Sequence, residues 1–293
     1  MKVFEKHLAG MGRDPDIQRE NRAIQSEFAV AERNALTEAR ASPWTHKHSV
    51  SLLLIVAGLV MIESFIPASD RLWMWLGIMV LLAVFGVIAG QGVTGQWLGL
   101  LIDTRNKVSL ARFQMTLWTI LILSAYLTAV MVNIDLRQPE PLSIAIPPDL
   151  WLLMGISTTS LIGSPFILRA KKGREAKESD KQRTLTRQVV DTGKVAIVGQ
   201  LVINQAPETA HLADMFQGSE TGNVGLLDLG KVQMFFFTLI LVLAYASALS
   251  TLFQQGRGAI QALPVVDGGM LALLGISHAG YLVNKALPHS DSK

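Results

Sequence analysis

The chain contains no cysteine, which removes disulfides, thiolate metal sites and cysteine nucleophiles together. Charge is scarce as well. Asp, Glu, Lys and Arg make up 17% of the 293 residues, against about 25% in an ordinary soluble domain. A Walker loop, a dinucleotide fingerprint, a His-Glu-x-x-His helix and a nucleophile elbow are all missing from the sequence. "GQGVTG" at 90–95 is glycine-rich but has neither the Lys nor the preceding strand that phosphate binding requires. No "TVGYG"-like potassium filter occurs. No catalytic, cofactor or metal residue is assigned, and an enzyme is not expected.

Acid is nearly absent from the apolar segments. Glu63 is the exception, and it lies close to an end, beside Ser64 and Pro67. Proton-coupled transport needs Asp, Glu or His deep in a bundle. His278 is the only histidine inside an apolar segment and reads as a hydrogen-bonded packing residue.

What is present in quantity is apolar sequence: half the residues are hydrophobic and the mean hydropathy is +0.36. It falls in windows of about 20 residues, the length a helix needs to cross roughly 30 Å of hydrocarbon. Six such windows lie near 49–66, 71–90, 113–132, 150–168, 232–253 and 268–286, and the last, with His278, Asn284 and four glycines, is the weakest. The fold class expected is an all-α polytopic membrane protein of six transmembrane helices with a small cytosolic insertion of β-hairpin character. Its segments are an arm (1–48), two spans (49–90), a link (91–112), two spans (113–168), an insertion (169–231), two spans (232–286) and a tail (287–293). With no apolar stretch near residue 10, the first window is expected to act as its own insertion signal.

Lys and Arg set the orientation. The arm, the link, the insertion and the C-terminal end hold 8, 3, 10 and 2 of the 26, and the other side holds only Arg71, Arg137 and Arg257. Both termini are therefore expected in the cytosol, in an inner membrane of bacterial type. This flanking charge also accounts for the net charge of +3, so no nucleic-acid partner is inferred.

In the arm, Asp14-Pro15 is a good helix start, and Ile17, Ile24, Phe28 and Ala31 form a sparse apolar stripe. The insertion opens on "RAKKGREAKESDKQR", a basic flank in which Lys171, Lys172 and Arg174 are candidate contacts for anionic headgroups. A hairpin is expected from 184–190 with 194–204 about a break at Asp191-Thr192-Gly193. Because an isolated hairpin is marginal, it should pair with another subunit or lie on the membrane surface. "PETAHLADMF" should form a short interfacial helix with Leu212, Met215 and Phe216 on one face.

One phrase occurs twice. Residues 110–129 align without gaps on 229–248, pairing Gln114 with Gln233, Met115 with Met234, Thr119 with Thr238, Ala125 with Ala244, Tyr126 with Tyr245 and Ala129 with Ala248. "LLMGIS" at 152–157 then answers "ALLGIS" at 272–277. Matched Gln, Thr, Tyr and Gly-Ile-Ser exceed what shared greasiness explains, so spans three–four and five–six read as a parallel internal duplication about an axis along the membrane normal. Ser109 and Asp228 sit where each copy's first helix needs an N-cap. Arg112 and Lys231 follow, placed to snorkel back to the interface.

The polar intramembrane candidates are Gln114, Thr119, Tyr126, Ser157 and Thr158 of the first copy, and Gln233, Thr238, Tyr245, Ser277 and His278 of the second. The tyrosine hydroxyls need partners, either serine or carbonyl oxygen. The small-residue pairs Gly86/Gly90, Gly95/Gly99, Ala125/Ala129 and Ala244/Ala248 suit close helix packing within one subunit, with homo-oligomer contact as the rival. The first functional expectation is a non-catalytic anchor or assembly component that offers 1–48 and 170–230 to a cytosolic protein partner. The second is an oligomeric channel for ions or small solutes lined by the polar residues of the two copies.

Overall fold

The computed structural model describes residues 43–289 apart from 178, 182–183, 185–194 and 257. The arm's Asp14-Pro15 start, its apolar stripe and the end of the tail lie outside the described residues.

Six long helices carry the fold: α1 His46–Phe65, α2 Arg71–Thr94, α3 Leu110–Asp135, α4 Pro148–Lys172, α5 Leu229–Gln255 and α6 Gly268–Ala286. Among the described residues α1 to α5 are long and apolar enough to cross a membrane, consistent with a mostly helical, multi-pass membrane protein. The 19 residues of α6 fall short of that apolarity, diluted by its glycines, His278, Asn284 and Lys285.

Each boundary has a local cause. Asp228 and Asp267 accept from Lys231 N–H and Gly269 N–H, capping α5 and α6. Ser109 occupies the N-cap of α3, but its hydroxyl makes no capping bond. Pro148 opens α4, where a missing N–H costs nothing. α2 runs one turn past the expected 90 and stops at Gly95, whose φ of 76° is the left-handed value that ends helices.

The glycines of α2 are used differently from expectation. Gly86 and Gly90 face the 3-10 turn Gly99–Leu101, not another helix. A Cβ on Gly90 would strike the backbone of Leu100, and one on Gly99 would strike the Gly90 carbonyl. The small residues let the chain fold back on the helix it has just left. Gly95 and Gly99 therefore belong to this turn and not to a helix-packing stripe.

α3, α4, α6 and α5 pack in a closed ring in that order, and α2 covers α3 and α5, with α1 outside it on α2. The main core lies between α2, α3 and α5, around Met74, Ile78, Trp118, Ala125, Ala129 and Leu249, each fully buried. Trp75 Nε1 donates to Ser124 Oγ (3.0 Å) while its ring packs on Phe253. In hydrocarbon such packing and hydrogen bonding, more than water exclusion, hold helices together.

The two ends of the ring are closed differently. At one, loops 136–147 and 256–267 pair: Ala145 N donates to Gln261 O (2.8 Å), and Leu263 N donates to Ala145 O (3.0 Å). Asn133 also clamps Ile260, donating to its carbonyl (2.9 Å) and accepting from its N–H (2.8 Å). At the other end the insertion folds against the 99–109 link. Asn204 N donates to Arg105 O (2.9 Å), and Asn106 and Asn204 each donate a side-chain amide to the other's carbonyl (2.9 and 2.8 Å).

The insertion departs from expectation at two places. The hairpin is β1 Val195–Val198 with β2 Leu201–Asn204, both inside the segment expected as a single arm. The chain turns at Gly199, where φ is 60° at the first central position of a two-residue loop, a conformation glycine reaches without strain. Thr184, expected in the first arm, is helical, and 185–194 are outside the described residues. Neither a second subunit nor the bilayer is needed to support the hairpin: β2 pairs with residues 219–220 and the 103–107 link of its own chain, which buries Leu201 and Val202 completely. The expected interfacial helix is two 3-10 turns, Pro207–Thr209 and Leu212–Phe216. Leu212 is exposed, whereas Met215 and Phe216 turn inward onto Val108, Met234 and Tyr281.

Candidate functional site

The densest polar chemistry runs along the seam between α4 and α6 and ends in the insertion. On α4, Ser157, Ser160, Ser164 and Lys171 recur at helical spacing, and all are buried. They face Ser277, His278, Tyr281 and Lys285 of α6. Ser160 Oγ lies 2.6 Å from His278 Nδ1, and Ser164 Oγ lies 3.4 Å from the Tyr281 hydroxyl, which accepts from Lys285 Nζ (2.7 Å).

Lys171 closes the line. Its ammonium donates to the carbonyls of Lys285 (2.6 Å) and Leu287 (2.7 Å) and to Glu220 Oε1 (2.6 Å). Glu220 in turn accepts from His289 N–H (3.0 Å). The ion pair is almost fully buried, with both side chains at or below 5% exposure. Lys171 is therefore no headgroup ligand, because its three protons are already placed. Lys172 and Arg174 remain exposed on the flank.

Other candidates are brought together in pairs. Gln114 Nε2 donates to Thr238 Oγ1 (2.5 Å) and toward Met234 O (3.4 Å), tying α3 to α5. Tyr126 and Tyr245 do parallel work: each donates to a carbonyl in the loop that follows its helix, Leu142 and Pro264, at 3.2 Å in both cases. Thr119 and Thr158 spend their hydroxyls on Met115 O and Met154 O in the preceding turn. Gln233, Ala244 and Ala248 are exposed on the outer side of α5. Gln114 and Gln233 thus do not face a common space. An exact two-fold relation would match Gln114–Thr238 with Gln233–Thr119, and that reciprocal bond is not made.

Among the described residues of α3, α4 and α6, five buried polar atoms have no hydrogen-bond partner: Gln114 Oε1, Trp118 Nε1, Ser157 Oγ, Ser277 Oγ and His278 Nε2. Leaving such an atom dry costs about 1–3 kcal/mol.

At the base, Asp103 accepts from the Arg105 backbone (2.9 Å), Nε (2.9 Å) and Nη2 (2.6 Å). Burial pushes the Asp103 carboxyl up, but Arg105 outweighs it and holds the group below the usual carboxylate range. Burial pulls the Lys107 ammonium down, partly offset by Asp214. Lys231 reaches back toward the base, as its long stem allows, and donates to Gln217 O. Among the described residues no cluster of His, Asp and Glu is arranged to hold a metal ion.

Sequence reasoning passed over Ser164, Tyr281, Lys285 and Glu220, and read Ser160 only as part of a polar run at 157–160. The serines of "ISTTSLIGS" are legible as a helical period when they are spaced by turns. Glu220, inside the turn-rich "GSETGN", carries no local sign of its distant lysine. No family model, no curated protein and no solved structure matches this chain.

Proposed function

We propose that this protein is a non-catalytic membrane anchor or assembly component: a six-span bundle with cytosolic termini, holding a folded platform that it presents to a protein partner. One observation carries the reading. Residues 195–228 are fixed to the bundle through the buried Lys171–Glu220 pair, while Leu226, Leu227 and Leu229 at their edge are left exposed beside Asn284 and His289. A rigid mount with an apolar edge suits recognition by another protein.

The sidedness supports it. The link and the insertion, which hold most of the Lys and Arg between the spans, lie together at one end of the ring, and the positive-inside rule makes that end cytosolic. The duplication has support too: α3 and α5 start 119 residues apart, and α4 and α6 start 120 apart, the offsets at which their sequences agree.

The test is co-purification of the full chain from its native membrane. A stoichiometric protein should accompany the wild type and be lost from a Leu226→Asp/Leu227→Asp/Leu229→Asp variant that still inserts. Equal recovery with the variant, or no companion of the wild type, overturns the proposal. An oligomeric channel is the second reading, favoured by the five unpaired buried polar atoms of α3, α4 and α6. Flux through liposomes that falls with Gln114→Leu would favour it over the anchor.

A further inference from the structure

A cavity of about 370 Å³ opens between α3 and α4 at the end where the insertion sits. That size is in the range of small-molecule sites. One part is charged: Arg112 and Lys285 reach it, with Asp103, Thr104 and Ser109 beside them. The other part is apolar, walled by Met115, Leu161, Pro165 and Leu168.

The charges do not balance. Asp103 is matched by Arg105, which gives it three hydrogen bonds. Arg112 has only a long contact to Leu100 O (3.4 Å), and Lys285 has only the Tyr281 phenol and the face of its ring. Neither makes an ion pair among the described residues. Asp103 and Asp228 act on Lys285 only at a distance, so two cations without an ion-pair contact stand beside an apolar wall, where an anion would be favoured. The first turn of α3 adds to the demand. Ser109 caps nothing, so N–H groups at the start of this 26-residue helix border the same space.

We propose that this cavity holds the headgroup and upper acyl chain of an anionic phospholipid from the adjoining leaflet. The phosphodiester would sit between Arg112, Lys285 and the start of α3, and the chain would run along Leu161 and Leu168. Both requirements are met in one place: positive charge for the phosphate, and an apolar groove leading toward the exposed Ile162 and Phe166 of the same helix. A soluble phosphate would satisfy the first and leave the second unused. The proposal stands apart from the anchor reading, because it needs only the bundle and the bilayer.

The experiment uses the full chain, stripped of lipid in detergent and titrated with phosphatidylglycerol, phosphatidylcholine or inorganic phosphate, with native mass spectrometry and thermal unfolding as readouts. One phosphatidylglycerol should bind saturably, and phosphatidylcholine should bind at least about fivefold more weakly, the effect of one nearby cation. Arg112→Gln and Lys285→Gln should each cost a similar about fivefold. Leu161→Trp, which fills the apolar part, should weaken lipid binding and leave the cations in place. The exposed pair Lys47→Gln/Arg137→Gln, neither of which lines the cavity, serves as the control and should stay within about twofold. If Lys285→Gln fails to fold, Arg112→Gln and Leu161→Trp still decide. Equal binding of the two lipids, stabilisation by inorganic phosphate as great as by lipid, or equal losses in the control pair and in Arg112→Gln would each overturn the proposal.

Discussion

In α3, Gln114, Ala125 and Ala129 are fully buried. In α5, the residues at the corresponding positions, Gln233, Ala244 and Ala248, are exposed. Half of the most apolar window of α3 is buried, against 28% of that of α5. The two helices share their wording but not their neighbours. α2 lies along α3, bringing Trp75 to Ser124, and among the described residues no helix does the same for the outer face of α5. Only the tyrosines behave alike, because their partner is the loop that each helix itself leads into. Matched residues keep matched roles where the partner is local in sequence, and lose them where it comes from elsewhere in the fold.

Substitutions can break or sharpen that contrast. The largest effect should come from Lys171→Met, which cuts the bolt from the first helical pair to the end of the second and strands Glu220. Removing one member of a buried ion pair costs about 3–5 kcal/mol. The loss would be read as a lower unfolding temperature and as new proteolysis within 195–228. Unchanged protection would show that the platform is held by its other contacts. Next, Ala125→Leu should overpack the core at about 1–3 kcal/mol, while Ala244→Leu should be close to neutral. Equal losses would mean that the outer face of α5 is covered in the membrane, as a homo-oligomer would require.

Gln114→Leu should cost about 1 kcal/mol through its bond to Thr238, and Gln233→Leu nothing measurable. Tyr126→Phe and Tyr245→Phe are the matched pair, and each should lose about 0.5–1.5 kcal/mol. A marked difference between them would break the one likeness that survives folding. The smallest effect concerns the base. Asp103 has a folded pKa below its ordinary value, so its stabilisation is present above the ordinary carboxylate range and is lost as pH falls through the folded value. Asp103→Asn should therefore lower the unfolding temperature at neutral pH, and the difference should vanish in strong acid.

Much of this architecture is legible in the chain because it is encoded locally. Apolar windows mark five helices, Asp228 announces the cap of α5, and the Lys and Arg distribution groups the link with the insertion. Burial is not legible in the same way. α1, α2 and α5 are apolar all round, so no stripe declares which side meets protein and which meets lipid. The glycines of α2 look like helix-packing residues, but the same absence of Cβ admits a returning turn equally well. The hairpin was misplaced because Asp191-Thr192-Gly193 and Gly199-Gln200 are both good turns, and long-range pairing of β2 with residues 219–220 favours the second. The α4–α6 seam joins residues more than 100 positions apart, and the spacing of the serines was its only trace.

The stitched loops at the far end carry a mechanical consequence. Asn133 and Ala145 fasten the first helical pair to the second there, and Lys171 fastens them again at the base. Two levers pinned at both tips cannot rock about a central fulcrum, nor can one slide past the other. The α3–α6 ring is thereby braced at both ends and acts as a stiff strut.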